Sequence, residues 1–129
     1  MSELQIMRLG FTIMKRWLEN RNVGKDFAQY LLSFGYETVG IYGAGDVGAL
    51  LYAELRGKVK VPYFIDRNAE TFCEIDSVPV ILPQDLFQYP ACDIIIVTPL
   101  SGFESIAEII KAQHPNQPLL SIRDAVYEL

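Results

Sequence analysis

Three glycines, Gly43, Gly45 and Gly48, follow a short apolar run at 39–42. They open a stretch in which Val47, Leu50, Leu51 and Leu55 recur at helical spacing. The segment Gly43-Ala44-Gly45-Asp46-Val47-Gly48 is therefore a G-x-G-x-x-G loop between a strand and a helix, the context in which this pattern cradles a pyrophosphate. Each glycine has its own task there. Gly43 allows the tight turn, Gly45 has no Cβ to keep a phosphate off the backbone, and Gly48 lets the helix pack close to the sheet. Free N–H groups and the helix dipole at such a terminus favour an anion. A second reading stays open, in which the glycines serve only as the strand-to-helix turn.

Asp66 closes the next apolar run, "YFID", eighteen residues after Gly48. A carboxylate at the tip of that strand suits the 2′- and 3′-hydroxyls of a ribose. It repels a 2′-phosphate, which favours NAD over NADP. Arg67 works the other way, because an adjacent guanidinium can hold that phosphate. Asp66 is equally readable as the turn residue of "DRNA". Asp46 gains from the helix dipole, typically by about 0.3–1 kcal/mol, yet it also stands beside any bound pyrophosphate. Thr98-Pro99-Leu100-Ser101 follows the fourth apolar run. It either flanks a pyrophosphate or nicotinamide ribose at Thr98 and Pro99, or caps the next helix.

The residues that would do acid–base chemistry are missing. His114, the single histidine, precedes Pro115 beyond a helix end and reads as a surface residue. There is no Tyr-x-x-x-Lys pair. Tyr52 and Arg56 share the helix after the glycine loop, the wrong place for proton transfer. No catalytic residue is assigned. Cys73 and Cys92 have no metal-ligand spacing, so no metal site is expected; Cys92 reads as a small core residue.

The elements that must position the glycine loop alternate. Strands are expected at 38–42, 61–65, 78–82, 93–98 and 118–122, and helices at 46–57, 83–89 and 101–113, with a short helix or tail after 122. Ser101-x-x-Glu104 predicts a capping box at the start of the 101–113 helix. Strands joined through helices pair in parallel by right-handed crossovers. The expected fold is α/β: a doubly wound sheet of about five strands in the order 3-2-1-4-5. The link between the second and third strands is near the minimum for a crossover, so its helix should be abbreviated.

Before this unit stands an N-terminal helical extension, 1–35, followed by the nucleotide-binding unit at 36–129. Its first helix, 2–20, carries Leu4, Met7, Phe11, Met14 and Leu18 at spacings of three and four, with Ile6, Ile13 and Trp17 on one flank. A second, shorter helix ends at Gly35. The sheet already has its helices assigned, so this stripe predicts a homodimer through the first helix, with packing back on the chain's own sheet as the alternative.

Of the 129 residues, 50% are hydrophobic and 21% charged, which excludes a disordered chain. A net charge of −5 argues against nucleic-acid binding, which needs clustered Lys and Arg. No apolar run is long enough to span a membrane, and there is no signal peptide at the N-terminus. A soluble cytoplasmic protein is the expectation.

The segments "GIYGAGDVGALLYAELRG", "VPYFIDRNAE", "IDSVPVILPQDL" and "DIIIVTP" together resemble a small Rossmann module. It is similar to the nucleotide-binding N-terminal domain of bacterial polysaccharide-biosynthesis proteins: nucleotide-sugar dehydratases, epimerases and sugar acyltransferases. It also resembles the NAD(H)-sensing domain of redox-responsive repressors. The resemblance covers residues 36–123 and implies a dinucleotide or nucleotide-sugar at Gly43, Gly45, Asp46, Val47, Gly48 and Asp66. It departs from those proteins in lacking acyltransferase repeats, a second catalytic domain or a DNA-binding module, and in residues 1–35. The expectation is an accessory or regulatory protein of surface-polysaccharide or nucleotide-sugar metabolism that binds NAD(H), with NADP or a UDP-sugar as alternatives. The rival is an NAD-dependent nucleotide-sugar oxidoreductase completed by a partner chain. A purely structural module is the third reading.

Overall fold

The computed structural model describes residues 1–69 and 73–129. One sheet holds six strands: β1 (Val39–Tyr42), β2 (Phe64–Ile65), β3 (Glu74–Ile75), β4 (Val78–Ile81), β5 (Ile94–Val97) and β6 (Leu119–Ser121). Their order is β3-β4-β2-β1-β5-β6. Five of them are parallel. The sixth, β3, pairs antiparallel with β4 at the edge. The expected count of about five becomes six, and β3 extends the expected order at its edge; the five strands that were expected stand as β4-β2-β1-β5-β6, the third, second, first, fourth and fifth of them.

The difference arises in the link from β2 to β4, where an abbreviated helix was expected. Asp76 and Ser77 both take positive φ (52° and 67°), as a two-residue type I′ hairpin turn requires. That turn folds Glu74–Ile75 back onto Val78–Pro79. Tyr52 and Arg56 then hold the hairpin through Asp76, at 2.8 and 3.3 Å. Residues 70–72 of the same link lie outside the described part.

Helices cover both faces of the sheet. On one face α1 (Glu3–Asn22), α2 (Phe27–Ser33), α3 (Asp46–Leu55) and α5 (Ile122–Glu128) bury Ile13, Phe27, Leu31, Leu51, Leu55 and Val126 against Ile41, Phe64 and Ile96. On the other, α4 (Phe103–Gln113) and a 3₁₀ turn (Pro83–Gln88) pack Ile110 and Leu86 against Tyr63, Ile65, Ile95 and Val97. β5 is buried along its whole length, as a central parallel strand should be. At its start the Asp93 carboxylate accepts from the N–H groups of Glu37 and Thr38, at 2.8 and 3.0 Å. Those bonds lower its pKa and pin the entry of β1 to that of β5.

The first helix packs by an unexpected flank. Ile13 and Trp17 are buried, and the Trp17 indole N–H donates to Glu54 of α3 at 2.9 Å. Asn20 donates to the Val126 carbonyl of α5 at 2.9 Å. The stripe itself stays outside: Leu4, Met7, Phe11 and Leu18 are 56–72% exposed. The sheet face thus accommodates α1 beside its crossover helix. Cys92 is a buried core residue, as its position suggested. No helix among the described residues is long and apolar enough to cross a membrane.

Candidate functional site

β1 and β5 lie side by side, and the chain leaves their carboxyl ends in opposite directions. From β1 it enters α3 on one face, and from β5 it enters α4 on the other. A crevice opens where two such connections diverge. A cleft of about 480 Å³ lies there, lined by Tyr42, Gly43, Asp66 and Arg67 on one side and by Pro99, Ser101 and Ser105 on the other.

The glycine loop enters the cleft wall at Gly43, and its three glycines differ. Gly43 takes φ +109°, and a Cβ on it would run into the Thr98 hydroxyl. A Cβ on Gly48 would overlap the Gly43 carbonyl. Both are demanded by the fold. Gly45 has ordinary extended backbone (φ −83°, ψ −159°), and a Cβ there would meet nothing within 4 Å. Nothing within the chain requires glycine at 45. The N–H groups of Gly45, Asp46, Val47 and Gly48 meet no acceptor among the described residues, and α3 has no side-chain cap.

Gly48→Ala is expected to destabilise the fold by about 1–3 kcal/mol, the cost of forcing a methyl into packed backbone. Chemical denaturation measures this. An unchanged midpoint would remove Gly48 from the set of structural glycines.

Asp66 performs both tasks available to a turn residue. One carboxylate oxygen accepts from the Ala44 N–H at 2.7 Å, and the other accepts from the Asn68 N–H at 2.8 Å. The tip of β2 is thereby fastened to the glycine loop. Each oxygen keeps a second lone pair toward the cleft. Arg67 is exposed at the cleft mouth, Asp46 is exposed at the first helical position of α3, and Val47 is half-buried. Ala44 is buried behind the loop. Thr98 is also buried, with its hydroxyl donating to the Tyr42 carbonyl at 2.8 Å, so it shapes the loop from beneath. Pro99 alone of that pair lines the open cleft.

Two expectations fail here. The capping box of Ser101 and Glu104 does not form. α4 begins one residue later, at Phe103, with Gly102 as its cap in a left-handed conformation (φ +82°) and no side-chain hydrogen bond. That twist carries Ser101 away from the position where it would reach the Glu104 N–H. A capping box does form between Ser2 and Gln5 at the start of α1. His114 is not a free surface residue either. Its Nε2 lies 3.1 and 3.0 Å from the carbonyl oxygens of Leu86 and Tyr89 and ties the end of α4 to the 3₁₀ turn.

Sequence reasoning missed Tyr42 and Ser105. Tyr42 was read only as the end of the first strand, although the period of two puts it opposite Ile41, at the strand tip beside the cleft. The described residues hold no cluster of three or more His, Cys, Asp or Glu side chains placed for a metal ion. No protein-family model matches the chain, and no curated protein matches it.

Proposed function

We propose that this chain is a Rossmann-like accessory or regulatory protein that binds NAD(H) or a nucleotide-sugar in the cleft between α3 and α4. The pathway class that fits is surface-polysaccharide or nucleotide-sugar metabolism in the cytoplasm. The observation that carries the reading is Gly45: a glycine with no conformational or packing need, set among four N–H groups that meet no acceptor among the described residues, two residues beyond Gly43 in the wall of a 480 Å³ cleft. A phosphate needs both the bare backbone and the donors. Asp66, at the tip of the neighbouring strand, has lone pairs left for a ribose. The chain's own residues would bind and orient such a ligand.

A thermal-shift screen against NAD, NADH, NADP and UDP-sugars tests this. A ligand at a hundred times its dissociation constant adds about 2.7 kcal/mol, a rise on the order of 10 °C for a domain of this size. No shift with any of them at millimolar concentration would contradict the proposal. Asp66→Ala is expected to weaken NAD more than NADP, because it removes a ribose acceptor and relieves repulsion of the 2′-phosphate. It should also cost about 1–3 kcal/mol of fold stability, since two N–H groups lose their acceptor. Equal losses for both cofactors would assign Asp66 to the turn alone.

We further propose a homodimer through α1. The exposed residues Leu4, Met7, Phe11 and Leu18, with half-buried Met14, repeat at alternating steps of three and four, the seam by which one helix packs on another of its kind. Leu50 of α3, 52% exposed, extends the apolar surface beside it.

A further inference from the structure

Five α-helices start among the described residues, and they are finished in two ways. α1, α2 and α5 have side-chain caps from Ser2, Asp26 and Ser121. α3 and α4 have glycine caps that supply none. The α4 end lines the cleft at Gly102 and Ser105, and the α3 end follows Gly43, which lines the cleft after β1. At α4 the N–H groups of Phe103, Glu104 and Ser105 meet no acceptor among the described residues, just as at α3.

An uncapped helix end is weak evidence by itself. The second observation is Tyr42. It is only 5% exposed, it lines the cleft, and its hydroxyl makes no hydrogen bond to any described residue. The other deeply buried phenol, Tyr63, does have a partner: it donates to the Pro90 carbonyl at 2.9 Å. That hydroxyl is the accessible tip of an otherwise buried side chain, open to the cleft and free to meet a ligand there. Tyr42 sits close enough to feel both Asp66 and Arg67, and its burial raises the phenol pKa, so it remains a donor at neutral pH. Asp66 accepts from Ala44 and Asn68 and keeps lone pairs for a ribose, while the donors that share the cleft with Tyr42 are the hydroxyls of Ser101 and Ser105, the Arg67 guanidinium and the uncapped start of α4. A set of donors with a cation selects an anion.

We propose that the Tyr42 hydroxyl and the uncapped start of α4 hold the distal phosphate of a nucleoside diphosphate, while the glycine loop holds the proximal one. The pyrophosphate is then shared between two helix N-termini across the cleft. This rests on the nucleotide reading given above and adds to it a residue and a division of the ligand.

The test is calorimetric titration of the full chain and of Tyr42→Phe with UDP, UMP, ADP and AMP, beside thermal melts of both proteins. Tyr42→Phe should melt within about 2 °C of the parent, because the hydroxyl has no protein partner to lose. It should bind UDP or ADP about tenfold more weakly, the loss of one hydrogen bond to a charged group. The monophosphates should change less than about twofold. Unchanged diphosphate affinity in Tyr42→Phe would overturn the proposal while leaving the cleft as a nucleotide site. Equal losses for diphosphates and monophosphates, or a melt lowered by many degrees, would also overturn it. If the parent protein binds none of the four nucleotides, nor NAD or a UDP-sugar, the proposal falls together with the reading beneath it.

Discussion

Gly45→Val is expected to fold normally and to lose nucleotide binding by at least a hundredfold. The two halves of this result have separate causes. At φ −83° and ψ −159° a β-branched residue is comfortable, and its Cβ would find open space. The fold cost is then only that of replacing Gly by Val at a helix cap, on the order of 1 kcal/mol or less. The ligand cost is larger. The valine methyls would stand over the N–H groups of Gly45, Asp46 and Val47, which have no other acceptor among the described residues. Two charge-assisted hydrogen bonds lost at about 1.5–3 kcal/mol each give a hundredfold or more. Circular dichroism and thermal melting read the first half, and calorimetry with NADH or a UDP-sugar reads the second. Gly43→Val and Gly48→Val should behave differently, because both collide with the protein itself and lose the fold along with the site. A Gly45→Val protein that folds and binds like the parent would make the loop a strand-to-helix turn and nothing more.

The full chain is expected to run in light scattering at twice its 14.6 kDa mass, and Met7→Glu/Phe11→Glu is expected to run as a monomer. Both side chains are largely in water within one chain, at 70% and 72% exposure. Covering a large apolar side chain contributes roughly 1.5–3 kcal/mol, and a stable pair of this kind buries about 800 Å² on each side. Two carboxylates on the seam would face apolar side chains of the partner and lose that gain. Deleting α1 is a poorer experiment, because Ile13 and Trp17 are core residues and Asn20 holds α5. A monomeric parent would contradict the proposed dimer. A double variant that stays dimeric with an unchanged melt would move the interface elsewhere.

The alternation of strands and helices was readable because each element carried its own local period. β5 appeared as a continuous apolar run, and the glycine loop as a pattern with fixed spacing. The edge hairpin was not readable in the same way. Asp76-Ser77 is an uncommon pair for a turn in which both residues take positive φ, and it sits where a crossover helix was expected. That α1 packs on the sheet through its other flank was not foreseen, although the stripe was expected to stand clear of the sheet. The longest apolar stripe drew attention, while Ile13, Trp17 and the polar Asn20 made the buried face. A helix with two apolar faces gives one hydrophobic pattern, and only tertiary contact separates them. In the site, the glycines and Asp66 could be named from spacing alone. The carboxylate's bonds to Ala44 and Asn68 could not, because they join segments 22 residues apart and within one turn at once. Ser101-x-x-Glu104 misled because a left-handed Gly102 moved the helix start by one residue.

The central claim is that the cleft at the carboxyl ends of β1 and β5 binds a nucleotide through the glycine loop. Its most direct test is an amide chemical-shift map of the isotope-labelled full chain titrated with NADH and, separately, with a UDP-sugar. The account predicts saturable shifts concentrated at residues 42–48, 66–68 and 101–106, with the N–H groups of Gly45, Asp46 and Val47 moving most. Shifts that cluster instead around Arg21, Lys25 and Lys58 on the opposite end of α3, or no saturable shifts with either ligand, would contradict it.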